Sequence, residues 1–357
     1  MENKHDKYTL AQYQSLPLDA KIRMTQERIR AWYEYWDEKG VGCYVSFSGG
    51  KDSTVLKYIV DNMYDDVPSV FVDTGLEYPE IREFVNDIRT NKYKRFGFNN
   101  NIEILKPEKP FNQIIKEYGY PVISKEVAQV VEESRKFLKN LKKGEELNIP
   151  TRTEDLKAWG NVPKQLLKIK GIFGKNNKPC LPDAPNSDRS SYNCSKYEYL
   201  LDAPFNISHK CCNIMKKKPF KKYEKEYNRK GFVGTMANES FARKQAWIKT
   251  GCNAFNSSRP KSSPLSFWTE QDILRFIKTY NIPIAKVYGD IVINDNKKLE
   301  LTGVTRTGCM FCMFGAHLEK EPNRFQRMRN THPQLYDYCI NKLNLKEVLD
   351  FIGVPYE

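Results

Sequence analysis

Between Tyr44 and Val60 the chain reads YVSFSGGKDSTVLKYIV. A strand-like apolar run breaks at Ser-Gly-Gly-Lys-Asp-Ser and then resumes with helical spacing. No other stretch limits the fold as tightly. A helix that starts at such a junction turns unpaired N–H groups and the positive end of its dipole toward the end of the strand. Glycine lets the backbone approach an anion closely. The pattern therefore predicts a phosphate cradle built from Ser46, Ser48, Gly49, Gly50, Lys51, Asp52 and Ser53. Lys51 supplies positive charge, and Asp52 either caps the helix or helps to hold a magnesium ion. It is not a Walker A loop: Val45 stands where the first glycine is needed, and Asp52 where Ser or Thr follows Gly-Lys.

The surrounding pattern fits that junction. Ile22, Met24, Ile29, Trp32, Tyr33 and Trp36 recur at helical spacing between Asp19 and Gly40. Val41–Phe47 reads as a buried strand, and the helix after it has Asp52 or Ser53 near its start. VPSVFVDTG predicts a second strand ending at Asp73, PEIREFVNDIRTN a helix, and NIEILKP a third strand. Strands alternating with helices predict a doubly wound parallel α/β sheet. Lys125–Gly144 reads as a charged helix, and the segment to about Pro204 as irregular. Residues 125–205 are therefore expected to be a helical insertion. GFVGTMA returns to the sheet, and WTEQDILRFIKTYNI is a helix capped by Thr269. The expected organisation is an N-terminal helical segment (1–40), a nucleotide-binding α/β domain (41–300) and a C-terminal cysteine-bearing helical region (301–357).

Composition narrows the setting. No apolar run is long enough to cross a bilayer and the N-terminus has no apolar signal region, so a cytoplasmic protein is expected. The formal charge of +14 suits polyanionic partners, either nucleotides or nucleic acid. Nine cysteines in a reducing compartment point to metal ligation or thiol chemistry rather than disulfides. Four fall in close pairs, Cys211-Cys212 and Cys309-x-x-Cys312. A Cys-x-x-Cys pair alone suits zinc, an iron–sulfur cluster or redox work. Adjacent cysteines are unusual for structural zinc, whereas a cubic cluster accepts thiolates at separate corners. The run KCCNIMKKKPFKKYEKEYNRK, with Phe220, Tyr223 and Tyr227, reads either as a solvated basic face or as a contact for a nucleic acid strand.

SFSGGKDST resembles the PP-loop of the adenine nucleotide alpha-hydrolase superfamily. VFVDTGLEYPEIREFV resembles the second segment of the PAPS (3′-phosphoadenylyl sulfate) reductase family within it. The resemblance implies an adenosine pocket beside Asp73 and Thr74, at the carboxyl edge of the sheet. The cysteine order is similar to that of cluster-bearing adenylyl-sulfate reductases. By that likeness Cys211, Cys212, Cys309 and Cys312 ligate a [4Fe-4S] cluster, with zinc as the alternative. Met310, Phe311, Met313 and Phe314 would form its apolar surround. GTMANESFARKQA matches a family segment in which Arg243 stands for the final arginine, while Met236 replaces a frequent basic residue.

Reductases of this family carry a nucleophilic cysteine in a Glu-Cys-Gly-x-His tail. LKEVLDFIGVPYE has no such motif, and Cys339 lies in the helix-like LYDYCINKL. The resemblance then implies ATP binding with Mg2+, cleavage between the α- and β-phosphates, and sulfur transfer to an adenylated acceptor. Lys51, Asp52 and Arg243 would carry the chemistry. A sulfur donor or reductant protein is the implied partner, and a nucleic acid acceptor suits the basic charge. The alternatives are sulfonucleotide reduction releasing sulfite, and a non-catalytic nucleotide- or nucleic-acid-binding protein.

Overall fold

The computed structural model describes residues 5–141, 162–175, 180 and 186–357. The chain divides into two compact units, Met1–Glu108 with Met215–Cys309, and Lys109–Ile214 with Met310–Glu357.

The first unit is built on a six-stranded, mostly parallel sheet. Strands β1 (Gly42–Ser46), β2 (Ser69–Val72) and β3 (Ile102–Leu105) step outward in one direction. The chain then returns to lay Arg229–Val233 on the other side of β1, followed by Lys261–Ser262 and Asn253–Ala254. Only the pairing of the last two strands is antiparallel. Strand order therefore reverses at β1, and a crevice opens beyond the carboxyl ends of strands at such a point.

Both faces of β1 are covered, which explains its unbroken apolar reading. Cys43, Val45 and Phe47 enter a large core with Val55, Ile59, Phe232 and Trp268. Tyr44 turns the other way, against Val70 and Tyr223. The two buried phenols are satisfied: Tyr44 donates to Glu224 at 2.8 Å and Tyr223 to Glu103 at 2.7 Å. On the core face lie helix α1 (Lys7–Ser15), helix α2 (Leu18–Asp37), helix α3 (Lys51–Asp61) and helix α4 (Pro79–Arg89), each contributing to that core.

The capping box expected at Thr269 is present, with Asp272 as its reciprocal partner. Asp272 also receives the Lys21 ammonium at 2.6 Å, which ties α2 to helix Glu270–Thr279. Inside α3, Lys57 and Asp61 form a fully buried ion pair at 2.8 Å.

Several boundaries differ from the sequence reading. Helix α1 is additional, and Pro17 separates it from α2. Helix α3 begins at Lys51 with Gly50 at its N-cap. Asp52 and Ser53 thus sit inside the first turn and do not cap it. Strand β2 stops at Val72, one residue before Asp73.

The second unit holds a short parallel strand pair, Val122–Ile123 with Met313–Phe314. Helix Lys125–Asn140 follows from a Ser124 cap. Its Arg135 donates to the carbonyls of Leu200, Leu201, Ala203 and Phe205 at 2.7–3.0 Å, fastening the segment around Ser195–Asp202. Of the expected insertion, residues 142–161, 176–179 and 181–185 lie outside the described residues. Among the described residues no helix is long and apolar enough to cross a membrane.

Candidate functional site

The loop after β1 stands at the switch point, in the first unit. Gly49 has φ +71°, and a Cβ there would lie 2.7 Å from Ile81 Cγ2. Both the conformation and the space demand glycine. Gly50 is different: its φ of −74° is open to any residue. A Cβ on it would instead sit 3.2 Å from Thr307 Oγ1 and Tyr288 OH and 3.3 Å from Ser48 Oγ.

Ser48 and Ser53 brace the loop. The Ser53 hydroxyl donates to Gly50 O at 2.9 Å, and its oxygen accepts from Ser48 N at 3.2 Å and lies 3.0 Å from Ser48 Oγ. Lys51 N–H donates to Tyr288 OH at 3.0 Å. The N–H groups of Asp52 and Ser53 have no hydrogen-bond partner among the described residues, so the anion-binding end of α3 stays open there.

Lys51 is 2% exposed. Its ammonium donates to Thr305 O at 3.2 Å and lies 3.4 Å from Asp52 Oδ1 and 3.3 Å from Glu270 Oε1. That Asp52 oxygen is buried without an aligned hydrogen bond. Burial pushes the Asp52 carboxyl above its ordinary value; the Lys51 charge opposes this, and Glu239 and Glu270 add to it. A buried carboxylate oxygen with neighbouring negative charge fits a cation. Asp52 would hold magnesium together with phosphate oxygens, the usual arrangement for this ion. Among the described residues no three His, Cys, Asp or Glu side chains are grouped to hold a metal by themselves.

A cleft of about 470 Å³, counted with the open solvent at its mouth, lies beside the loop. Ser46, Ser48, Phe71, Glu77, Lys216, Phe220 and Thr307 are among its lining residues. Asp73 and Thr74 are not; Val72 and Glu77 on either side of them are. Asp73 accepts from Gly75 N at 3.1 Å and pairs with Arg82 at 3.1 Å, which is the work of a turn residue. Thr74 donates to Glu77 Oε1 at 2.7 Å, and Lys216 approaches that carboxylate at 3.6 Å.

Arg243 is ion-paired with Glu239 and lines a separate cleft with Thr235, Lys261 and Ser263. The charge of its partner Glu239 raises the Asp52 carboxyl. Gly234, at the start of the same segment, rests against the loop: a Cβ would lie 3.0 Å from Asp52 O and Ser53 Cα.

The four paired cysteines do not form a three-ligand set here. Cys211, Cys212 and Cys312 belong to the second unit, and Cys309 is the last residue of the first. Of the flanking histidines, His209 is bound by Glu132 at 2.9 Å, and His317 lies 3.2 Å from the Tyr197 hydroxyl. Cys339 is fully buried, and burial pushes its thiol far up.

Sequence reasoning missed Glu77, Lys216, Glu270, Tyr288, Thr305 and Thr307. For Glu77, the Thr-x-x-Glu spacing after β2 was a usable local signal. Lys216 lies in the basic run singled out above, whereas Glu270, Tyr288, Thr305 and Thr307 reach the loop from more than two hundred residues away, and no local pattern marks them.

Comparison with known proteins gives the family of the chain. A family model for the phosphoadenosine phosphosulfate reductase domain matches residues 42–152 and 183–313. An uncharacterized protein of Methanocaldococcus jannaschii is 34% identical over 95 residues, covering 26% of this chain and 21% of that protein. The match thus spans about a fifth of that relative's length. The crystal structure of phosphoadenylyl-sulfate reductase from Candida auris, a phosphate complex, is similar with 13% identity and a TM-score of 0.34, over 76% of this chain and 91% of that one. The family match takes in more than half of the chain, including the phosphate loop, the Asp73–Thr74 corner, Arg243 and both cysteine pairs. The chain belongs to the phosphoadenosine phosphosulfate reductase domain family of the PP-loop superfamily.

Proposed function

We propose that the protein is an ATP-dependent sulfurtransferase. ATP binds in the cleft beside β1, with its phosphates on the 48–53 loop and its base among the aromatic walls. An acceptor oxygen attacks the α-phosphorus, the α–β bond breaks, and pyrophosphate leaves with the bonding electrons. A sulfur nucleophile then displaces the adenylated oxygen from the acceptor, releasing AMP. Lys51 and the open N–H groups of α3 neutralise charge that develops on the phosphates. Bound magnesium would add its positive charge to the same oxygens. The +14 charge is compatible with a nucleic acid acceptor.

One observation carries this reading over sulfonucleotide reduction. The reductive route needs Cys339 or another thiol to reach the nucleotide, and Cys339 is sealed in an apolar interior that disfavours ionisation. The phosphate loop, by contrast, is complete. A [4Fe-4S] cluster on Cys211, Cys212, Cys309 and Cys312 is supported by the order of the cysteines, and no step above is routed through it.

The experiment measures two products: pyrophosphate from ATP, and sulfite from PAPS with thioredoxin. Pyrophosphate alone supports the proposal. Sulfite release would replace it with reduction, and neither product would leave a nucleotide- or nucleic-acid-binding role without turnover.

A further inference from the structure

Gly50 supplies the starting observation. Its backbone does not require glycine, yet three hydroxyl oxygens, from Tyr288, Thr307 and Ser48, crowd the place of a side chain. Two of them form a chain. Tyr288 OH accepts from Lys51 N–H, one of the donors at the start of α3, at 3.0 Å. It lies 2.8 Å from Thr307 Oγ1. A phenol hydroxyl has one hydrogen. Either hydroxyl of the pair can donate; the relay has the Tyr288 hydrogen directed to Thr307. The Thr307 hydroxyl hydrogen is then free to point onward. Thr307 lines the 470 Å³ cleft, together with Ser46 and Ser48, whereas Tyr288 does not. The tyrosine ring is 2% exposed and part of the main core, so its hydroxyl is held in place. Burial also keeps it protonated, with a pKa pushed up to about 12.

We propose that Thr307 is a phosphate-binding residue of the nucleotide site and that Tyr288 positions it, passing the donor strength of the α3 N-terminus through two hydroxyls into the cleft. Hydrogen-bonded chains of this kind polarise one another. The relay rests on the nucleotide reading above and adds the residues that the loop motif does not contain.

The test is calorimetric titration of the full chain with magnesium pyrophosphate and with magnesium ATP. Thr307→Val should weaken binding by about tenfold or more, the scale of a hydrogen bond to a charged group. Thr307→Ser, which keeps the hydroxyl, should recover affinity to within about threefold of wild type. Tyr288→Phe should weaken binding by about threefold, and the double variant Tyr288→Phe/Thr307→Val should bind no worse than Thr307→Val alone, because the tyrosine acts through the threonine. Wild-type affinity in Thr307→Val, a Thr307→Ser variant as weak as the valine, or multiplicative losses in the double variant would overturn the relay while leaving the nucleotide site standing. A wild-type protein that binds neither ligand would overturn both.

Discussion

The two loop glycines make separate demands, and replacing each by alanine should separate folding from binding. In Gly49→Ala the φ of +71° is forced on an L-residue, at a cost of about 1–2 kcal/mol. The new Cβ also lies 2.7 Å from Ile81 Cγ2 and 3.0 Å from Val85 Cγ2, both buried side chains of α4. Overpacking of that kind costs about 1–3 kcal/mol, so the sum is about 2–5 kcal/mol. Total stabilities of about 5–15 kcal/mol make that a large share. Gly50→Ala has no backbone strain, since φ is −74°. Its Cβ meets only the ends of three hydroxyl-bearing side chains at 3.2–3.3 Å, which yield by a few tenths of an ångström, and the cost should be about 1 kcal/mol. It should nevertheless disturb the Tyr288–Thr307 pair and lower ATP affinity by about tenfold, equivalent to about 1.4 kcal/mol. Urea unfolding followed by tryptophan fluorescence reads the first quantity, and calorimetry with magnesium ATP the second. If Gly50→Ala proves as destabilising as Gly49→Ala, or binds ATP like wild type, the division of labour between the glycines is refuted.

Lys51→Ala should abolish pyrophosphate release while the far-ultraviolet circular dichroism stays unchanged; full turnover would remove the lysine from the phosphate site. Asp52 binds its proton more readily than an ordinary carboxyl because it is buried beside other acids. Magnesium-dependent ATP affinity, present at neutral pH, should therefore fall on acidification at a higher pH than an exposed aspartate would give, and Asp52→Asn should lose that dependence. Within α3, burial pushes the Lys57 ammonium down and the Asp61 carboxyl up to about 6, so the pair is costly to keep charged. Asp61→Asn should cost about 3–5 kcal/mol by stranding the ammonium, while Lys57→Met/Asp61→Leu should be near neutral in the same urea assay. Iron and sulfide analysis after anaerobic purification should find a cluster, and a colourless protein with stoichiometric zinc would replace it with the zinc alternative.

Local chemistry was legible in the chain. A strand needs side chains that fill both covered faces, and YVSF supplies them; a loop that bends back at positive φ needs Gly49. Such requirements act over a few residues, so the glycine turn between β1 and α3, the alternating α/β order and the Thr269 cap could all be read before any coordinates. The ends of elements shifted because caps depend on neighbours: α3 starts at Lys51 with Gly50 at its N-cap, and Tyr288 rather than a nearby side chain receives the Lys51 N–H. At the end of β2, Asp73 accepts from Gly75 N–H and pairs with Arg82, contacts that the motif alone does not describe. Tyr288, Thr305, Thr307 and Glu270 reach the loop from 219 to 257 residues further along the chain, their separations set by the sheet's return past β1. No periodicity encodes such encounters, because only the packed fold brings those groups within hydrogen-bonding or ion-pairing range of the phosphate loop.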